Sequence, residues 1–269
     1  MNETVTRLLA GEGLTLGYGP RIISEGLDVQ ITPGSFTAIL GPNACGKSTL
    51  LRALSGLGKA EAGQVIVNDR RLESYTPRQL AKHLGMLPQS ASSPDSLTVY
   101  ELVCRGRYAY QGFLRQFGSD DRLAVHEALE QTGLVQLAHR PLTQLSGGQR
   151  QRAWIAMVLA QQTELLLLDE PTTYLDLAHQ VELLNLLDEL VHRGRTVVAV
   201  LHDLNLAFRY ASHLVLMKDG KIRAQGAPAD VVTSDLIHEI FDLPNVVISD
   251  PVTGLPCLIP SDSRAMKRS

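Results

Sequence analysis

Apolar residues along this chain follow three different periods, and each period predicts a different element. Short unbroken runs occur at Phe36–Leu40, Leu165–Leu168 and Thr196–Leu201, with turn residues or acids at their ends. Runs of this kind predict strands buried on both faces of a parallel sheet. Apolar and polar residues alternate at Leu14–Leu16 and Gly26–Ile31, and Val65–Val67 after Gly63 suits the same sheet. Alternation predicts strands with one face buried. Helical spacing marks Lys47–Gly56, Ser96–Val103, Asp120–Thr132, Leu177–Arg193 and Leu204–Ala211, and an amphipathic segment carries Trp154, Ile155, Met157, Val158 and Leu159. Asp219-Gly220, inside Leu214–Arg223, predicts a hairpin. Strands alternating with helices predict a parallel α/β core.

Chemistry enters where these elements end. The run Phe36–Leu40 leads into Gly41, Pro42, Asn43, Ala44, Cys45, Gly46, Lys47, Ser48 and Thr49. This is the G-x-x-x-x-G-K-[ST] pattern of a triphosphate cradle. Small residues let successive backbone N–H groups turn inward on phosphate, and the following helix adds its positive dipole end. Lys47 is expected to reach the β/γ oxygens and Ser48 to ligate Mg²⁺. Ala44 stands where loops of this pattern often carry Gly, so slight strain at a backbone angle that suits Gly is expected there. Cys45 lies among groups that would stabilise a thiolate, with inert burial as the alternative.

The run Leu165–Leu168 ends in Asp169 and Glu170. Ligands of such sheets bind beyond the carboxyl ends of the strands, which suits Asp169 to the Mg²⁺ shell and Glu170 to polarising an attacking water. Leu145, Ser146, Gly147, Gly148 and Gln149 form a Ser/Gly turn opening a helix, a second anion site. One nucleotide does not need two such sites on one domain. Two copies head to tail would set each turn against the other's nucleotide.

Composition narrows the classes. Of 269 residues 44% are hydrophobic, enough for a substantial core, and the net charge of −3 carries no nucleic-acid footprint. Lys and Arg are dispersed apart from a short basic stretch, Arg264–Arg268, read as a frayed end. No run of 18 apolar residues occurs, and the N-terminus is polar and does not read as a leader peptide. A transport role would therefore need other chains to form the pathway. Three widely spaced cysteines suggest a reducing compartment rather than a disulfide framework. No metal-ligand cluster is apparent, so the metal expected is the Mg²⁺ that accompanies a nucleotide.

Taken together, the phosphate loop 41–49, the turn 145–149 and the pair Asp169-Glu170 resemble the ATP-binding subunit of ABC transporters over nearly the whole chain. The resemblance implies a RecA-like P-loop core with an N-terminal antiparallel β subdomain and an inserted α-helical subdomain. On this reading 1–93 and 161–243 form the core with the β subdomain, 94–160 the helical subdomain and 244–269 a C-terminal tail. The resemblance implies that Tyr18 stacks on adenine and that Gln89 senses Mg²⁺ and the γ-phosphate. It also implies that Thr173–Asp176 crosses a dimer interface, with Asp176 as its acid, and that His202 contacts the γ-phosphate. ATP and Mg²⁺ are the implied cofactors. The implied partners are membrane permease subunits, a second copy of the chain and, indirectly, a solute-binding protein, with the subunit peripheral on the cytoplasmic face of the membrane.

Gly41-Pro-Asn, Arg105-Gly-Arg-Tyr108, Asp169–Asp176 and His202-Asp-Leu-Asn205 are similar to the ATPases of ferric-siderophore, haem and cobalamin importers, and Pro244–Pro260 is similar to their tail. The ATPase does not itself touch the solute; the resemblance implies uptake of an iron–siderophore complex, with haem, cobalamin or another metal-chelate as the alternative. Soluble relatives acting in translation or DNA repair are disfavoured by the single phosphate loop and the lack of sustained heptads. Tyr100, Arg105, Arg107, Tyr108, Tyr110 and Phe113 concentrate aromatics and arginines in a chain with 5% aromatics, as a permease-facing surface or as the cover of a small core.

Overall fold

The computed structural model describes residues 7–89, 97–112, 117–173 and 175–261. Ser96, Phe113, Tyr174 and the basic stretch Arg264–Arg268 lie outside the described residues. The chain divides into two units, Met1–Leu72 with Val198–Ser269, and Glu73–Val197.

The first passage through unit one holds β1 (Leu9–Tyr18), β2 (Arg21–Ile31), β3 (Phe36–Leu40), α1 (Lys47–Leu54), β4 (Ala62–Val67) and β5 (Arg70–Arg71). An antiparallel sheet runs β2-β1-β4-β5. Its register sets Leu9 opposite both Ile31 and Val67. Leu14, Leu16, Leu27, Val29 and Ile31 are buried, as the alternation requires. Strands β1 and β2 reach further than the alternating runs because a bulge between Gly11 and Leu14 lets pairing resume.

Unit two holds α2 (Pro77–Leu80), β6 (Leu84–Leu87), α3 (Val99–Cys104), α4 (Ser119–Gln131), α5 (Gly147–Leu159), β7 (Leu165–Asp169), α6 (Leu177–His192) and the start of β8 (Thr196–Val200). Strands β6 and β7 are parallel, with Leu87 opposite Leu168. Every residue of β7 is buried. Full burial stabilises a leucine by about 1.5–3 kcal/mol, so this strand is a main anchor of its unit. Thr98 begins α3 and Ser146 begins α5 through reciprocal capping boxes with Glu101 and Gln149.

The chain then returns to unit one through the end of β8, α7 (Leu204–Tyr210), β9 (His213–Lys218), β10 (Lys221–Gly226), α8 (Pro228–Val231), α9 (Ser234–Phe241), β11 (Asn245–Ser249) and β12 (Pro256–Pro260). Strand β3 pairs in parallel with β9, Ile39 opposite Val215, and Leu201 N–H donates to Ile39 O at 3.3 Å. The expected hairpin forms between β9 and β10, with Asp219 and Gly220 both at positive φ. Helices α8 and α9 and the hairpin β11–β12 go beyond the elements expected from the sequence. Asn205 on α7 holds that hairpin, accepting from Leu258 N–H at 2.7 Å and donating to its carbonyl at 3.1 Å. Among the described residues no helix is long and apolar enough to cross a membrane.

Candidate functional site

In unit one, β3 delivers its chain directly into the glycine-bounded loop. The loop is shaped by backbone angles that side chains resist: Ala44 has φ 63° and Gly46 φ 106°. A Cβ on Gly41 would lie 2.2 Å from the Met217 carbonyl oxygen and 2.7 Å from Cys45 Sγ, so this position excludes a side chain. The strain expected at Ala44 is present as a left-handed alanine.

Helix α1 starts at Lys47 without a side-chain cap and without an acidic residue in its first turn. Its leading N–H groups and dipole thus meet no carboxylate of that turn, which suits an incoming anion. Lys47 is buried, and its Nζ donates to Gly41 O at 2.8 Å and Pro42 O at 2.9 Å. The ammonium is thereby kept inside the loop it would serve. Cys45 is buried as well. Burial pushes its thiol above the usual range, and the nearby Lys47 charge offsets this only in part. This favours inert burial over a stabilised thiolate, because desolvation outweighs the nearby Lys47 charge and the amides.

Tyr18 ends β1, largely exposed, with its hydroxyl 3.4 Å from Thr49 Oγ1. It is therefore tied to the first turn of α1. His202 is exposed in the turn after β8, directly before Asp203, which caps α7 by accepting from Leu206 N–H at 2.9 Å.

In unit two, β7 carries the acids. Asp169 is buried at the end of the strand. Glu170 follows at φ 54°, a left-handed angle for a residue with a long side chain. Thr173 braces it twice: Thr173 Oγ1 donates to Glu170 Oε2 at 3.2 Å, and Thr173 N–H donates to Glu170 O at 3.2 Å. Strain held by such bracing clusters at functional sites. Gln89, exposed, follows β6 by two positions, as Glu170 follows Leu168, and the parallel register of β6 and β7 puts both at the same end of that pair.

The turn 145–149 lies at the other end of a short relay. Leu145 is buried, and the Ser146 hydroxyl accepts from Gln149 N–H at 3.2 Å while Gln149 Oε1 accepts from Ser146 N–H at 3.1 Å. The serine hydroxyl keeps its own proton available for donation. A Cβ on Gly148 would lie 3.3 Å from Leu175 Cδ2 and 3.9 Å from the His179 ring. The loop before α6 therefore packs onto the turn. Asp176 caps α6, accepting from His179 N–H at 2.9 Å and facing His179 Nδ1 at 2.6 Å, and these bonds hold its carboxyl below the usual range. Gln151 Nε2 donates to Pro171 O at 3.0 Å, joining α5 to the loop that carries Glu170. Gln151 and His179 gave no sequence signal, and Thr173 was read only as the start of the loop 173–176. Gln151 acts through a residue of another element, Thr173 and His179 through carboxylates three positions earlier.

The aromatic and arginine cluster after Gln89 resolves into two kinds of residue. Tyr108 is 61% exposed, whereas Arg107 is 3% exposed and paired with Asp121. Arg107 thus belongs to the core of its unit and not to a surface. Among the described residues no group of three or more His, Cys, Asp or Glu side chains is arranged to hold a metal.

The family model described as ABC transporter matches residues 24–173. The ferric enterobactin transport ATP-binding protein FepC of Escherichia coli (strain K12) is 52% identical over 261 residues, 97% of this chain and 96% of that protein. A solved ABC transporter assigned to the metal-chelate type, in an inward-facing conformation, aligns with TM-score 0.82 at 31% identity, covering 96% of this chain and 99% of that one. The dimeric ABC transporter cassette MJ0796 aligns with TM-score 0.72 at 29% identity, covering 81% of this chain and 98% of that one. The chain belongs to the ABC transporter family.

Proposed function

We propose that this chain is the ATP-hydrolysing subunit of an importer for an iron–siderophore complex, bound peripherally to membrane permease subunits on the cytoplasmic face. The observation that carries the ATPase reading is the buried Lys47 ammonium inside a loop whose backbone turns toward an uncapped helix start. The solute class rests on the likeness to FepC.

Two copies close on two ATP molecules. The loop residues Gly41 to Thr49 cradle the phosphates of one ATP, and Tyr18 stacks on its adenine. Leu145, Ser146, Gly147, Gly148 and Gln149 of the second copy complete the cradle, with Asp176 lining the same junction. Likeness to a dimeric cassette supports this arrangement. Lys47 exchanges its bonds to Gly41 and Pro42 for phosphate oxygens. Glu170 accepts a hydrogen bond from the attacking water, whose oxygen bonds to the γ-phosphorus as the bond to the β-γ bridging oxygen breaks, and His202 steadies the γ-phosphate. Ser48, Gln89 and Asp169 offer hydroxyl, amide and carboxylate oxygens, a donor set that fits Mg²⁺. When bound, Mg²⁺ spreads the charge of the phosphate oxygens.

The test is turnover of the purified chain beside its Glu170→Gln variant. We expect turnover to fall by orders of magnitude in the variant, with ATP still bound and an ATP-dependent dimer on size exclusion. Near-parental hydrolysis in the variant would remove Glu170 from this role. Uptake of an iron-loaded siderophore that survives loss of this chain would overturn the solute assignment.

A further inference from the structure

Arg107 has more bonded partners than its place in a short turn requires. Its Nε donates to Asp121 Oδ1 at 2.9 Å, and its Nη1 donates to Ala160 O at 2.8 Å and Gln162 Oε1 at 3.1 Å. Its guanidinium lies 3.9 Å from the Tyr110 ring centroid. Both Arg107 and Asp121 are almost fully buried. Asp121 spends its other oxygen on Gly118 N–H at 3.0 Å, at the start of α4.

These partners converge on one place, the C-terminal end of α5. Ala160 is the capping residue of that helix, and its carbonyl is among those left without a partner inside the helix. A cation there also complements the helix dipole. Tyr110 adds a bond from its hydroxyl to Gln161 O at 2.7 Å. A Cβ on Gly106 would lie 2.2 Å from Met157 O, so the turn 105–107 lies flush against the last turn of α5. The other end of α5, 13 residues away or about 20 Å, carries Ser146, Gly147 and Gly148.

A buried ion pair contributes little net stability against apolar groups of equal size. Its directional bonds do fix orientation, and here what they orient is the helix bearing the second anion site. We infer that Arg107 is a positioning residue for ATP hydrolysis: with Asp121 it clamps the far end of α5 and so sets how Ser146 to Gly148 are presented to the partner copy's nucleotide. This rests on the role proposed above for that turn.

The test compares the full chain with the double variant Arg107→Met/Asp121→Leu and the single variant Arg107→Lys. The double variant keeps apolar volume and removes the directional bonds. Lysine keeps the charge but lacks the planar fork. ATP affinity should stay within twofold of the parent in both, since the phosphate loop belongs to the other unit. kcat should fall tenfold or more in the double variant and severalfold in Arg107→Lys. The ATP-dependent dimer measured in a Glu170→Gln background should weaken in parallel. A folded double variant with kcat within twofold of the parent overturns the inference. If the double variant fails to fold, parental kcat in Arg107→Lys overturns it and a severalfold loss at parental ATP affinity sustains it. Ser146→Ala, run alongside, separates the two failures: if it too leaves kcat and dimer unchanged, the turn itself lacks the proposed role, whatever Arg107 does.

Discussion

The Lys47 ammonium is turned back onto the Gly41 carbonyl oxygen, 2.8 Å away, so the loop supplies its lysine with an acceptor before any phosphate does. Replacing Lys47 by Met removes a charge-assisted partner for phosphate, worth about 1.5–3 kcal/mol. ATP affinity should weaken roughly 10- to 100-fold, read by equilibrium binding of a fluorescent ATP analogue. Unchanged affinity would show that Lys47 stays on the two carbonyls and does not serve the nucleotide.

Two loop positions should respond with opposite signs. Ala44 sits at φ 63°, and Ala44→Gly should stabilise the chain by about 0.5–1 kcal/mol, the relief of a left-handed alanine less the entropy of a freer unfolded chain. Gly41→Ala must displace the Met217 backbone and should cost about 2–4 kcal/mol while abolishing ATP binding. Denaturant melts of the two variants read both effects.

Cys45 should be a slow thiol. Burial raises its pKa, so at neutral pH it holds less thiolate than an ordinary cysteine, and its Sγ is shielded besides. Mass-spectrometric labelling with a maleimide at pH 7 should modify Cys45 at least about tenfold more slowly in the folded than in the unfolded chain. Rapid labelling of native Cys45 would contradict the buried, protonated thiol.

His213 begins β9 opposite Thr37, and burial lowers its pKa below the ordinary 6.5. Below pH 6.5 the unfolded chain takes up this proton before the folded chain does. Its contribution to stability is thus present above pH 6.5 and is lost as pH falls toward the depressed folded value. Unfolding free energies at pH 7.5 and 5.5 should differ less in His213→Asn than in the parent. An identical difference in both would exclude the histidine as a source of acid sensitivity.

Much of the fold was legible because burial and backbone chemistry are local. Phe36–Leu40 and Leu165–Asp169 form strands at the expected residues, since an apolar run between turn residues has one good solution in a parallel sheet. Helices α6 and α7 start where Asp176 and Asp203 cap them. Helix α9 was not read, although Thr233 caps it and Ile237 and Ile240 bury its inner face. At eight residues it spans barely two turns of pattern.

The sequence by itself determined which residue types could bind phosphate and where each stands along the chain. Spacing of glycine, lysine and serine carries that information, because successive backbone N–H groups need small neighbours to converge. Only the tertiary structure decided what surrounds them: that Cys45 is buried and its pKa thereby raised, that Glu170 is held at a left-handed angle by Thr173, and that Arg107 faces the core. Desolvation, bracing hydrogen bonds and ion pairing all depend on groups distant in sequence, and no local pattern records which groups those will be.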